Sequence, residues 1–173
     1  MPVAMENSTS TANANTGKYM TFTLSGECYG IEISLLEEVI GELPVTPIPN
    51  TPSFIKGVIN LRGRIVPVID LRIKLRMKLV ELGHESCILV LKIPVRNGVF
   101  NMGMIVEHVH DIRGVDAKQI SEPPNFGVKV NTSFLNGVVK EGEKQAILLL
   151  NAVKALTTKE IEQVKKTTET DAK

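Results

Sequence analysis

The first residues to suggest chemistry are two arginines in a short polar tip between strongly apolar runs. Residues 58–72 read VINLRGRIVPVIDLR, and Arg62 and Arg64 stand on either side of a single glycine. A guanidinium offers several N–H donors in a planar fork, which suits phosphate groups and carboxylates alike. The pattern therefore leaves four uses open for this tip: phosphate binding, nucleic-acid recognition, a catalytic site or the docking of another protein.

Two histidines form a second group with chemical potential. His108 and His110 are two residues apart, so on a strand they face the same side, and Glu107 and Asp111 flank them. A metal site would need further ligands converging from elsewhere in the chain. The sequence favours solvated or groove-lining histidines, and we expect neither a metal ion nor a cofactor.

No motif in the sequence indicates catalysis. It contains no GxSxG, no HExxH and no glycine-rich phosphate loop, and NLRGR has one glycine and no long helix after it. Cys28 and Cys87 form no CxxC pair, and each lies in an apolar strand-like run, which predicts buried free thiols in a reducing compartment. We therefore expect a protein without enzymatic activity.

Composition narrows the uses of the arginines further. The 173 residues include 20 basic and 19 acidic side chains, for a net charge of +1, and 43% are hydrophobic. A nucleic-acid binder usually has a strong basic excess, so this balance argues against that use. The N-terminus lacks the basic start and apolar core of a signal peptide, and no apolar run approaches the roughly 20 residues of a membrane helix. The sequence predicts a cytoplasmic protein.

The apolar runs predict a mainly β fold of short strands. Hairpins are expected at residues 18–33, 54–71 and 133–150, further strands at 86–95 and 99–112, a long loop at 113–131 and a disordered tail at 1–17. Four prolines between residues 44 and 52 indicate an extended connection. Ser34 with Glu37, and Thr157 with Glu160, each fit a capping box, which predicts a short helical turn and a C-terminal helix.

The sequence around the arginine tip occurs twice. SFIKGVINLRGRIVPVIDL matches SFLNGVVKEGEKQAILLLNAV at an offset of 80. The identical residues are Ser53, Phe54, Gly57 and Val58, which return as Ser133, Phe134, Gly137 and Val138; with one inserted residue, Asp70 falls on Asn151. Because one five-strand unit buries little apolar surface, we predict two small five-stranded barrels packed side by side, with a groove at their seam.

The tips of the two copies differ, NLRGR in the first and KEGEK in the second. The shared strands are therefore structural, and the arginines are functional or interfacial. Protein docking fits best, with Glu38 as a candidate partner that would orient Arg62. The alternative is a small β-barrel that binds nucleic acid, which needs aromatic platforms beside the arginines. Phe54 is the nearby aromatic residue, but its repeat partner Phe134 suggests a core position for both.

A longer stretch resembles the signature of the CheW family of bacterial chemotaxis coupling proteins. It reads YGIEI, EEVIG and PIPNTPSFIKGVINLRGRIVPVIDLR in order, and the similarity continues through PPNF and the last hairpin. The part FIKGVINLRGxIVPVIDLR is also shared with CheV and with the regulatory domain of the kinase CheA. No kinase, phosphotransfer or receiver segment accompanies it in this sequence, so the length favours a stand-alone coupling protein.

The resemblance implies two SH3-like five-stranded β-barrels with short helices, in a protein without catalytic activity. Members of the family bridge the cytoplasmic tips of methyl-accepting chemoreceptors to the regulatory domain of the histidine kinase CheA, in arrays at the membrane. It also implies a domain over residues 18–156, in approximate halves 18–80 and 81–156, followed by a C-terminal helix and tail over residues 157–173.

The same resemblance implies site residues by matching position. The receptor-binding groove between the barrels would include Leu36, Glu38, Asn60, Arg62 and Ile112, and kinase contacts would include Phe126 and Arg64. An apolar groove edged by an arginine and a glutamate can take one face of a receptor helix and fix its register. One departure from the family pattern is Ile40, where some relatives have an arginine.

Overall fold

The structure, a computed structural model, describes residues 16–41, 44–122 and 133–171. These ranges contain eleven strands, three α-helices and two short 3₁₀ helices, so the fold is mainly β, as predicted. The strands are β1 Thr16–Leu24, β2 Glu27–Glu32, β3 Leu36–Ile40, β4 Ile55–Leu61, β5 Arg64–Ile69, β6 Cys87–Val95, β7 Gly98–Val106, β8 His108–Asp116, β9 Ile120–Ser121, β10 Leu135–Glu141 and β11 Gln145–Leu150. The α-helices are α1 Leu71–Lys74, α2 Ala152–Ala155 and α3 Thr158–Asp171.

The strands form two barrel-like sheets that divide the chain unevenly. The five-stranded sheet β3-β6-β7-β5-β4 uses residues 36–106 without interruption, and we call it the continuous barrel. The six-stranded sheet β8-β1-β2-β11-β10-β9 combines residues 16–32 with residues 108–150, and we call it the split barrel. The predicted halves 18–80 and 81–156 are therefore wrong as barrel boundaries. The chain crosses between the barrels twice, so β1 and β2 complete a barrel whose other strands come last.

The duplication predicted from the sequence is confirmed by the strand pairing. The β4–β5 and β10–β11 hairpins each have a parallel neighbour, β7 and β2 respectively. After each hairpin the chain enters a short helix whose N-cap residue is Asp70 or Asn151. The backbone N–H groups of these two residues donate to the carbonyls of Phe54 and Phe134 at 2.8 and 2.7 Å. The two units thus share one plan, and residues can be matched between them by strand register.

The largest apolar cluster takes residues from both barrels. Phe22, Leu24 and Ile31 of the split barrel belong to the same buried cluster as Leu89 and Met104 of the continuous barrel, and all five side chains are fully buried. Smaller clusters fill the interior of each barrel. Burial of apolar surface is the dominant favourable contribution to folding. The shared cluster therefore holds the two barrels together as one unit.

Helix α3 follows the split barrel in sequence but packs on the continuous barrel. Val164 of α3 is fully buried in the shared cluster, and the helix contacts β4 and β5. The Nζ atom of Lys74 lies 3.2 Å from the carboxylate of Glu160. The predicted capping box is confirmed: the Thr157 hydroxyl accepts from the Glu160 N–H at 3.1 Å, and the Glu160 carboxylate accepts from the Thr157 N–H at 2.7 Å.

A buried ion cluster also links the barrels. Arg72 of α1 donates from Nε and Nη2 to the two carboxylate oxygens of Asp70 at 3.0 and 2.9 Å. Its Nη1 atom donates to Glu107 at 2.9 Å and to the Val80 carbonyl at 2.7 Å. Glu107 stands where the chain crosses from β7 to β8, and it accepts two backbone N–H groups of the β1–β2 turn at 2.7 and 3.0 Å. One guanidinium thus connects elements of both barrels.

Three local predictions are wrong. The predicted short helical turn is present as a 3₁₀ turn at residues 33–35, but Ser34 and Glu37 form no capping box, because the turn has no side-chain cap and Glu37 lies on β3. The strand expected at 99–112 is two strands, β7 and β8, which bend apart at Glu107 into different barrels. The loop expected from residue 113 begins as the end of β8, which runs to Asp116. In each case pairing with distant strands overrides the local sequence signal.

The ends of the described chain agree with the remaining expectations in part. Strand β1 begins at Thr16, two residues before Lys18, and the rest of the predicted N-terminal tail lies outside the described residues. Within the described ranges, every helix is too short or too polar to cross a membrane.

Candidate docking site

The arginine tip is a tight turn with a defined backbone conformation. Arg62 and Gly63 have φ angles of 52° and 87°, so both central residues are left-handed, as in the type I′ turns favoured in two-residue hairpins. The side-chain oxygen of Asn60 accepts a hydrogen bond from the Gly63 N–H at 2.9 Å. Asn60 therefore braces the turn that presents Arg62.

Glu38 and Arg62 form the ion pair that the sequence suggested. The Nη1 atom of Arg62 donates to Oε2 of Glu38 at 3.2 Å, and Nη2 donates to Oε1, so the contact is bidentate. The hydrogen bond from Arg62 holds the pKa of Glu38 below its usual value, and the same bond raises the pKa of Arg62. The Arg62 side chain is 67% exposed, against 27% for Glu38. A paired but accessible guanidinium is therefore presented at the surface.

A β-bulge places a second carboxylate beside the first. Leu36 pairs with Leu91 and Glu38 pairs with Val90, which leaves Glu37 as the extra residue of β3. Its Oε2 atom accepts from Nη2 of Arg64 at 3.0 Å and from the side-chain amide of Asn101 at 3.2 Å. This second pair was not predicted from the sequence, because Ser34 and Glu37 fit the pattern of a helical cap.

These ion pairs join opposite edges of the continuous barrel. Strand β3 is one edge of the sheet, whereas β4 and β5 lie at the other, so the two pairs close the seam between the edges. In the split barrel, Arg113 of edge strand β8 is paired with Glu141 at the tip end of β10. In each barrel, therefore, an ion pair links an edge strand to the hairpin on the opposite side of the sheet. The acidic residue is on the edge strand of the continuous barrel, whereas the basic residue is on the edge strand of the split barrel.

Leu36 and Ile112 lie on different barrels. Leu36 is half-buried on β3 and packs against the shared apolar cluster. Ile112 is 52% exposed on β8. Matching the two barrels by register makes Ile112 the equivalent of Val39, which is also exposed. The structure thus brings Leu36, Glu38, Asn60 and Arg62 onto one barrel and places Ile112 on the outer strand of the other.

Of the two residues expected to contact a kinase, only Arg64 lies within the described residues. Phe126 lies outside the described residues. Arg64 is bound to Glu37, yet its side chain remains 46% exposed. Phe54, the aromatic side chain considered as a platform for a nucleic-acid base, is buried. The described residues therefore offer no aromatic surface at this position beside the arginines.

The histidines and cysteines are held by ordinary contacts. His108 and His110 face the same side of β8, as predicted, with ring centroids 4.5 Å apart. His108 Nδ1 lies 3.1 Å from Glu85, and the described ranges contain no cluster of three or more metal-ligating side chains. Cys28 and Cys87 are free and half-buried, and burial raises the pKa of both thiols. Reactive thiolates are therefore disfavoured at both positions.

Comparisons with known proteins show the family and the fold. The family model described as the CheW-like domain matches residues 18–160. The chemotaxis protein CheW of Klebsiella aerogenes is 39% identical over 144 residues, covering 83% of this chain and 84% of that protein. CheW of Bacillus subtilis is 32% identical, covering 84% and 88%. The crystal structure of the scaffolding protein TtCheW from Thermoanaerobacter tengcongensis superposes with a TM-score of 0.71 at 31% identity, covering 83% of this chain and 94% of that one.

Proposed function

This chain belongs to the CheW family of chemotaxis scaffold proteins, and we propose that it couples chemoreceptors to the histidine kinase CheA. In this role it carries no catalytic activity and needs no cofactor. It binds the cytoplasmic tips of methyl-accepting receptors and the regulatory domain of the kinase, and it works in the cytoplasm at membrane-associated receptor arrays. Control of the kinase by receptors then depends on both contacts.

The observation that carries this proposal is the bidentate but exposed pair of Glu38 and Arg62. A receptor tip is a hairpin of two helices, and a helix docks through apolar side chains on one face. Leu36 and Ile112 supply apolar contact, whereas Glu38 and Arg62 at the edge select partner charge and fix register. Asn60 contributes by holding the turn that carries Arg62.

The kinase contacts proposed by family resemblance are Phe126 and Arg64. An arginine with 46% of its side chain exposed retains free donor positions for an acidic partner while Glu37 holds one nitrogen. Arg64 lies two residues from Arg62 in the same hairpin, so this kinase contact would adjoin the receptor-binding residues.

The experiment that tests this function is reconstitution of receptor, kinase and this protein, with binding measured for variants. Arg62→Glu places two carboxylates together and removes the exposed cation, so the receptor affinity should fall while the protein stays folded. The matched control is Lys144→Glu, at the tip of the equivalent hairpin of the split barrel, which should bind normally. Unchanged receptor binding by Arg62→Glu would refute the site. Receptor control of the kinase without this protein would refute the function.

A further inference from the structure

Glu37 occupies an unusual position relative to the docking pair. It is the bulge residue of β3, and it binds Arg64 on β5 and Asn101 on β7 through the same carboxylate oxygen. Glu38, the next residue, binds Arg62 at the hairpin tip. Two successive carboxylates therefore hold the hairpin at two points. One contact would leave the tip free to pivot, whereas two contacts fix its orientation.

The split barrel shows what this position looks like without the cluster. Register matching makes His110, Gln145 and Cys28 the equivalents of the glutamate at position 37, the arginine at position 64 and the asparagine at position 101. Those three side chains line a cavity of 580 Å³ at the end of the split barrel. In the continuous barrel the corresponding side chains bond to one another instead. The cluster is thus a feature of the barrel that carries the arginine tip.

We propose that Glu37 is a positioning residue for receptor docking, which acts through Arg64 and Asn101 to hold the hairpin tip so that Arg62 stays paired with Glu38. This inference rests on the proposed function. An isolated exposed ion pair is weakly ordered, but bidentate geometry and a network of several charges make such pairs effective. Arg62 is mostly exposed and sits at a left-handed turn residue, so its direction depends on how the hairpin is anchored.

The test compares single substitutions with an exchange of the two charges. Glu37→Gln and Arg64→Gln each break the anchor, and receptor affinity should fall by about two- to thirty-fold, as for residues that act at a distance from the ligand. The exchange variant Glu37→Arg with Arg64→Glu rebuilds the pair, and the Asn101 amide can accept from the new guanidinium. Its receptor affinity should return to within about threefold of the parent protein. Glu37→Asp keeps the charge, so its receptor affinity should fall less than that of Glu37→Gln.

The exchange separates positioning from direct contact. A side chain that touches the receptor needs its own charge, so direct contact predicts that the exchange variant binds as weakly as the single variants or worse. That result, or single variants with parental affinity, would overturn the inference. Kinase affinity is measured on the same proteins, because a direct kinase contact by Arg64 would be lost in Arg64→Gln and not recovered by the exchange. Melting temperatures should move by less than about 4 °C, since exposed pairs contribute little stability.

Failure of the inference and failure of the proposed function give different results. If Arg62→Glu also binds the receptor normally, the docking site itself is wrong. If Arg62→Glu weakens binding while the Glu37 and Arg64 variants do not, the docking site stands and only the positioning role is refuted.

Discussion

Substitution of Arg72 by valine is the sharpest test of how the two barrels are joined. The side chain makes four hydrogen bonds, two to Asp70, one to Glu107 and one to the Val80 carbonyl. Its loss leaves two carboxylates, 4% and 8% exposed, without their guanidinium. Removing one partner of a buried ion pair costs about 3–5 kcal/mol.

Backbone donors moderate that cost. Asp70 keeps the N–H of residue 72 at 3.0 Å, and Glu107 keeps the two N–H groups of the β1–β2 turn. We therefore expect the free energy of unfolding to fall by about 3–4 kcal/mol for Arg72→Val. The melting temperature should fall by about 6–16 °C for a protein of this size. Urea denaturation followed by far-ultraviolet circular dichroism measures the loss.

The second copy of the repeat supplies the control variant. The equivalents of Asp70 and Arg72 in the split barrel are Asn151 and Val153, and the asparagine caps α2 there without a buried charge. Asp70→Asn combined with Arg72→Val should therefore be more stable than Arg72→Val alone, by about 1 kcal/mol or more. A loss below about 1 kcal/mol for Arg72→Val, or a double variant less stable than the single one, would refute the reasoning.

Two further predictions concern backbone fit and helix capping. A Cβ atom at Gly57, where φ is 144°, would lie 2.1 Å from the Thr46 carbonyl oxygen, so Gly57→Ala should lose about 3 kcal/mol or more of unfolding free energy. Gly114→Ala, whose Cβ meets nothing within 4 Å, should change it by less than about 0.5 kcal/mol; equal losses would contradict this account. Burial tends to raise the pKa of Glu160, but hydrogen bonds from Thr157 and the Lys74 ammonium lower it overall. Folding therefore favours the charged form of Glu160. The loss of unfolding free energy caused by Glu160→Gln should be largest above the ordinary glutamate pKa, and it should decrease as the pH falls through the lowered pKa. Denaturation of both proteins at pH 7 and about pH 3 checks this; a difference independent of pH would be evidence against it.

Local signals and one internal comparison made much of the fold predictable from the sequence. Turn residues and alternating apolar runs predicted the three hairpins, and the repeat predicted two similar units. The assignment of strands to barrels was not predictable in the same way. β2 pairs with β11 more than a hundred residues away, and no local pattern encodes such a partner. A repeat detected at the hairpins therefore suggested sequential halves, whereas the chain interleaves them.

In the docking site, too, one ion pair was predictable from the sequence and the other was not. Glu38 was predicted as the partner of Arg62 because the sequence predicts that it ends a short helical turn before the proline-rich connection; the ion pair forms, although Glu38 lies on β3. The pairing of Glu37 with Arg64 was not predictable, since it depends on a bulge that turns two successive side chains toward the same hairpin. By sequence, Glu37 could be either a helix-capping residue with Ser34 or a strand residue that binds Arg64. Only the pairing of β3 with β6 decides between these two structures.

The split barrel has a consequence for how the protein is made. The β1–β2 hairpin is synthesised before the continuous barrel, whereas its neighbours β8 and β11 are synthesised after it, and β11 is the last strand. Roughly 120 residues separate the end of β2 from the end of β11, which corresponds to about 6–24 seconds of translation. During that time the continuous barrel can form, while Phe22, Leu24 and Ile31 still lack part of their final cover. The nascent chain therefore carries an exposed apolar hairpin until its last strands arrive.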